Sequence, residues 1–211
     1  MNIKKEYYRN LAQTVAKGFE KRHMESFYCD TTEEARALAL SLIPTGSSVS
    51  FGGSVTLSET GVLEALRSRK DITLYDRDTA NNPEEVKQIM HDALSCDYYF
   101  MSSNAITTDG ELVNIDGNGN RVAALIYGPE NVIIVAGMNK IVKTVEEGIS
   151  RTRNIASPQN CIRLKKNTPC ATNGICGNCL ADTICDQIVI TRASRVPNRI
   201  KVILIGEELG F

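Results

Sequence analysis

Between positions 3 and 22 apolar residues recur at helical spacing, at Tyr8, Leu11, Val15 and Phe19, which predicts an amphipathic helix with a polar outer face. A short strand follows at 25–29 (ESFYC). The run DTTEEARALALSLIP then predicts a helix capped by Asp30 or Thr31 and stopped before Pro44. GSSVSFGGS reads as a strand ending in a glycine pair, 56–69 as a helix, 71–77 as a strand, 83–95 as a helix opened by Pro83, and 97–103 as a strand. Strand and helix alternate at the spacing of βα units stacked around a largely parallel sheet, with helices on both faces.

The middle of the chain changes character. Two strand-like pieces flank Asp109-Gly110, a tight hairpin signal, and a turn rich in glycine and asparagine follows. NVIIVAG at 131–137 is a near-continuous apolar run, as in a strand buried on both faces. The stretch KIVKTVEEGISRTRNIAS reads as helical despite Gly148. A cysteine-rich loop comes next, and DQIVITR and RIKVILIGEELGF close the chain as two more strands. No repeat, linker or shift of composition divides it, so the expectation is one α/β domain over 1–211, with the cysteine-rich loop at 168–185 inside it.

Charge narrows the class. Lys and Arg number 24 against 25 Asp and Glu, so the chain carries no overall electrostatic footprint for nucleic acid. Basic residues do gather around the cysteine loop, with Arg163, Lys165 and Lys166 before it and Arg192, Arg195, Arg199 and Lys201 after it. They read either as a solvated face or as a docking surface for an acidic partner. The N-terminal segment is charged throughout, and the longest apolar runs fall far short of the ~20 residues that span a bilayer. The expectation is a cytoplasmic protein with reduced thiols and no membrane segment, and seven cysteines, an odd count, argue against a disulfide framework.

Three stretches carry candidate chemistry. Cys170, Cys176, Cys179 and Cys185 lie within sixteen residues as Cys-x5-Cys-x2-Cys-x5-Cys, among glycines and small polar residues that let the backbone wrap. Soft thiolates in that density point to a bound metal. The spacing matches neither the paired Cys-x2-4-Cys of structural zinc nor the bacterial ferredoxin run, so an iron–sulfur cluster and zinc both stay open, with Cys161 as a further participant. In SFGGSVTLSETG, Gly52 and Gly53 end a strand and Ser54 or Thr56 begins a helix, a design that suits a small anion. Glu59 is a candidate general base. The turn after the hairpin brings Asp116, Asn120 and Arg121 together. It fails as a calcium loop and as a dinucleotide fingerprint, and Arg121 is a candidate two-pronged contact to a carboxylate or phosphate. Neither His23 nor His91 has a nucleophile motif nearby. No Walker loop, Gly-x-Ser-x-Gly or His-Glu-x-x-His occurs.

On SFGGSVTLSETGV (50–62), SSNAITTDGELVNIDGNGNRVAALIYGPENVIIVAGMNKIV (102–142) and TPCATNGICGNCLADTIC (168–185), the chain resembles the LUD-domain (lactate utilization protein) family. That family is similar in fold to the isomerase and coenzyme-A-transferase superfamily, which implies a three-layer α/β/α core. The resemblance also implies a ligand pocket with Gly52, Gly53, Ser54 and Thr56 on one side. Asn104, Asp109, Asp116, Gly117, Asn120 and Arg121 would form the other. It further implies an accessory or electron-transfer subunit working with iron–sulfur oxidoreductase subunits in the oxidation of lactate or a related organic acid. No counterpart of the transferase's nucleophilic glutamate stands out, Glu59 and Glu111 being candidates by position alone. Two other classes stay open. One is a stand-alone enzyme on a phosphorylated or coenzyme-A-linked substrate, with Glu59 or Asp116 as acid/base. The other is a regulatory module whose cysteines sense metal or oxidation.

Overall fold

The computed structural model describes residues 2–211, so the first residue of the expected 1–211 unit lies outside the described residues. Six parallel strands form the main sheet. They are β1 (Glu25–Cys29), β2 (Ser48–Phe51), β3 (Thr73–Tyr75), β4 (Tyr98–Met101), β7 (Asn131–Gly137) and β10 (Ile200–Ile205), in the order β1-β10-β7-β4-β2-β3. Alternation along the two central strands divides the core. Val132, Ile134 and Ala136 of β7 join Val202 and Leu204 of β10 on one face, beneath α1 (Ile3–Lys21), which contributes Val15 and Phe19. Ile133, Val135, Ile203 and Ile205 pack on the other face. There they meet Ala35 and Ala39 of α2 (Thr32–Ser41), Leu57 of α3 (Val55–Glu59) and Leu66 of α4 (Val62–Ser68). The α/β sandwich expected from the strand–helix alternation is the observed one.

A second, mixed sheet holds β5 (Ala105–Thr107), β6 (Leu112–Asp116), β8 (Ile141–Val142) and β9 (Gln187–Thr191) in the order β8-β5-β6-β9. Its hairpin turn is the expected Asp109-Gly110, with Gly110 at φ 88°. This turn seats directly on α1. A Cβ on Gly110 would stand 2.6 Å from the Gly18 carbonyl carbon and 2.7 Å from the Phe19 nitrogen, so both elements need glycine there. Gly18→Val is therefore expected to cost about 2–3 kcal/mol by overpacking. The readout is a lower urea midpoint at unchanged slope.

Three boundaries depart from the sequence reading. The expected helix over 56–69 is two short helices, because Gly61 adopts φ 69° and the Thr60 hydroxyl turns back to the Thr56 and Leu57 carbonyls. The stretch from Lys140 is not one helix: Lys140 ends a 3-10 turn (Met138–Lys140), and the chain is extended after it. Ile141–Val142 pair in parallel with β5, and α7 (Val145–Arg151) begins only after Thr144 caps it. It continues through a π-helical turn, 152–156, into α8 (Ser157–Arg163). The glycine- and asparagine-rich turn leads into a helix that the sequence did not announce, α6 (Asn120–Ile126). Besides these, α5 (Pro83–Asp92) precedes β4 and α9 (Pro169–Asn173) opens the cysteine segment.

Candidate functional site

From β2 the chain steps outward to β3, then returns across β2 to β4 and continues the other way to β7. The winding thus reverses between β2 and β4, and in open parallel sheets the crevice beyond the strand ends at such a point is where ligands bind. A cleft of about 550 Å³ lies there. Its floor comes from the segments leaving three strands: Gly53, Ser54 and Thr56 after β2, Ser102, Ser103 and Asn104 after β4, and Lys140 after β7. Asp116, Gly117, Asn120 and Arg121 form one side. Ser157, Asn160, Arg163 and Lys166, together with Thr183, Ile184 and Asp186 of the cysteine segment, form another. Gly117 allows this last approach, since a Cβ there would lie 3.2 Å from Ile184 Cα.

Lys140 is the residue the sequence reading missed. Only 2% exposed, its ammonium donates to Thr56 Oγ1 at 2.8 Å and Ser102 Oγ at 2.9 Å, and no carboxylate pairs with it among the described residues. Burial, then the charges of Arg151 and Arg121, push its pKa down to about 7, with Glu59 pulling weakly the other way. The signal available in the sequence was its position just past the end of a fully apolar strand, where a lysine must either snorkel outward or face a cavity.

Arg121 has a different role from the one expected. Its fork is engaged by the protein: Nη1 donates to Ser102 O at 3.1 Å and Asn114 Oδ1 at 2.6 Å, and Nη2 to Asn104 Oδ1 at 3.1 Å and Ile115 O at 2.6 Å. Nε sits 3.5 Å from Asp116. The guanidinium lends charge to the cleft while locking β6 to the segment after β4. Arg151 likewise donates to the Asn139 and Asn104 carbonyls. The glycine pair serves these side chains. A Cβ on Gly52 would come within 3.0 Å of Arg121 Cδ, and one on Gly53 within 2.6 Å of Arg77 Nη2.

The two acid/base candidates are occupied elsewhere. Asp116 accepts from the Gly119 and Val122 nitrogens at 3.0 and 3.3 Å, so its carboxylate caps α6. Glu59 accepts the Gly210 N–H at 2.6 Å and does not line the cleft. Asp109 also lies outside, paired with Arg22 at 2.5 Å. Of the ten residues in the implied pocket, Gly52 and Asp109 are the two that do not line the cleft. Glu111 is turned to Arg22 at 3.1 Å. Four of the basic residues around the cysteine segment make local bonds: Arg199 to the Ala124, Leu125 and Pro129 carbonyls, Lys201 to Asn131, Lys166 to Asp182 and Arg163 to Asn160.

The cysteine segment folds against the π-helical turn. Cys170 is buried, with Thr168 Oγ1 3.4 Å from its sulfur, while Cys176, Cys179 and Cys185 are half-buried, and all are free thiols. Burial pushes the Cys161 thiol up to about 11, with Cys170 and Cys185 close enough to add to it. Burial would raise Cys176 too, but the Asn178 N–H and Arg153 Nη2, 3.4 Å from the sulfur, outweigh it and lower that thiol. These donors have the softness that zinc or an iron–sulfur cluster asks for. Among the described residues no three His, Cys, Asp or Glu side chains gather as a metal-ligand set, while Cys185 lies near enough to Cys170 and Cys176 for their charges to raise it further, after burial. No helix among them is long and apolar enough to cross a membrane.

The chain is similar to known proteins in both sequence and fold. The LUD-domain profile matches residues 12–205. A DUF162 family protein from Deinococcus radiodurans superposes with a TM-score of 0.54 at 12% identity, covering 94% of this chain and 98% of that one. The eIF2B delta protein from Chaetomium thermophilum gives a TM-score of 0.34 at 18% identity over 52% of this chain and 48% of that one, a likeness too loose to carry an argument. No curated protein matches the sequence. The chain belongs to the LUD-domain family, which is associated with lactate utilization.

Proposed function

We propose that this protein binds an anionic metabolite in the switch-point cleft, as the ligand-holding component of lactate or related organic-acid utilization. One observation carries this reading: a buried lysine at the cleft floor with hydroxyl anchors and no carboxylate. An unpaired buried charge costs several kcal/mol, and a bound carboxylate or phosphate would supply the missing counter-charge. Size refines the ligand. A three-carbon acid fills about four water volumes, ~120 Å³, whereas the cleft holds about 550 Å³. The ligand therefore has an anionic end at Lys140 and a larger body along the wall made by α8 and the cysteine segment. Calorimetric titration at pH 6.5 with lactate, pyruvate, a sugar phosphate and coenzyme A tests it. At least one of the larger anions should bind more tightly than lactate and lose tenfold or more in Lys140→Met. Failure of all four would sink the reading.

A second reading makes the protein an electron-transfer subunit beside iron–sulfur oxidoreductase partners, with Cys170, Cys176, Cys179 and Cys185 holding a cluster. What favours it is that Cys185 lies between Ile184 and Asp186, both part of the cleft wall, which would set the group beside the ligand. A bound cluster would supply one-electron chemistry. It requires the sulfurs to draw together from their present places. Protein purified without oxygen should then be brown, and a Cys176→Ser/Cys179→Ser variant colourless. Iron-free native protein would remove this reading.

A further inference from the structure

We infer that Lys140 is also a covalent site, whose ε-amine condenses with the carbonyl carbon of an anionic carbonyl compound held in the cleft. The inference rests on the anion-binding reading above and adds a reaction to it. Its basis is the geometry around Nζ. Of the three tetrahedral directions at that nitrogen beyond Cε, two are taken by Thr56 Oγ1 and Ser102 Oγ. The Ser102 hydroxyl turns to the Ser103 carbonyl at 3.5 Å, leaving its oxygen free to accept from the amine. In the neutral amine both N–H bonds are thus taken up by hydroxyls, and the remaining direction is the lone pair. Lys140 lines the cleft, and a carbonyl compound held against it there would meet that lone pair.

The surroundings favour the nucleophilic form. The charged groups acting on Nζ are Arg151 from α7, Arg121 from α6 and Glu59 from α3. The two cations outweigh the carboxylate, which is itself held by the Gly210 N–H. Lysines deprived of solvent and set beside other cations are the ones that attack carbonyl groups. With its pKa near 7, about half of Lys140 is free amine at neutral pH. An ordinary surface lysine is free to the extent of less than one part in about 10³.

The step balances without a co-reactant. The nitrogen lone pair forms a C–N bond as the carbonyl π pair moves to oxygen. Both amine protons then leave with that oxygen as one water, giving an imine. Protonated, the imine draws electrons from the adjacent carbon and acidifies its C–H bonds. The substrate class is a carbonyl group in a molecule bearing a carboxylate or a phosphate.

Reductive trapping tests this. The full chain is incubated at pH 7.5 with cyanoborohydride and either pyruvate or dihydroxyacetone phosphate, and the adducts are read by intact mass and peptide mapping. One stoichiometric adduct on Lys140 with either compound is expected, and the productive arm tells carboxylate from phosphate. Lys140→Arg, which keeps the positive charge and much of the bulk, should give none, and inorganic phosphate should slow labelling of the native chain. Labelling spread over surface lysines, or unchanged in Lys140→Arg, would overturn the inference. So would no labelling at all. Calorimetry with inorganic phosphate separates the two proposals. Phosphate binding without trapping removes only the covalent step, whereas loss of both removes the anion-binding reading as well.

Discussion

Lys140→Met is expected to be more stable than the native chain at pH 6.5 and less stable at pH 9.5. The pKa of Lys140 falls from 10.5 in the unfolded chain to about 7 in the fold, so the unfolded state binds one more proton throughout that window. Unfolding therefore becomes harder as pH rises, by about 1.4 kcal/mol per unit. The cost of burying the amine is absent above pH 10.5 and grows progressively as pH falls to 7. Below pH 7 the native chain carries the whole cost of the buried ammonium, about 5 kcal/mol. Methionine removes that cost but leaves the Thr56 and Ser102 hydroxyls without their partner, a loss of about 3 kcal/mol. The balance favours the variant by about 2 kcal/mol at pH 6.5 and turns against it near pH 8.5. Urea unfolding of both chains at three pH values reads the slope. Parallel curves would mean that Lys140 is solvated.

Arg121→Leu is expected to cost about 4 kcal/mol or more, the largest loss of any single change in the cleft wall. The substitution leaves the Ser102 and Ile115 carbonyls and the side-chain oxygens of Asn104 and Asn114 without the donor that joins them. It also removes the cation beside Asp116. Arg121→Lys keeps the charge but has a single nitrogen for acceptors spread around a planar fork, so it should recover less than half of the loss. A loss below 1 kcal/mol in Arg121→Leu would show that the guanidinium serves the ligand rather than the fold.

Both expectations turn on residues that the sequence presents unevenly. The core strands are legible because β7 and β10 are apolar at nearly every position, as only strands covered on both faces are. The hairpin is legible because Asp109-Gly110 demands the left-handed backbone that Gly110 adopts. Helix α6 is hidden because its start is made by tertiary means. Asp116, the last residue of a strand, reaches over to cap it, and Gly119 at φ 82° turns the chain into it, so glycine and asparagine mask a helical entry as a loop. Lys140 is hidden for a related reason. Beside Asn139 and ahead of a charged stretch it reads as the exposed start of a helix, and only the closure of α3, the segment after β4 and the C-terminal residues around it makes it buried. The arginines were visible as charges, but charge alone does not reveal that their donors face backbone carbonyls. The cysteine spacing was plain in the chain. What it does not carry is the direction of each sulfur, such as Cys170 turned to Thr168 and Cys176 to Arg153.

The most direct test is the titration of Lys140 itself. In protein carrying lysine labelled at Cε and Nζ, with the Lys140→Arg spectrum giving the assignment, the Lys140 signal should titrate with a midpoint of about 7. Saturating inorganic phosphate should move that midpoint upward, because a bound anion favours the charged amine. A midpoint near 10.5, unmoved by phosphate, would contradict the account.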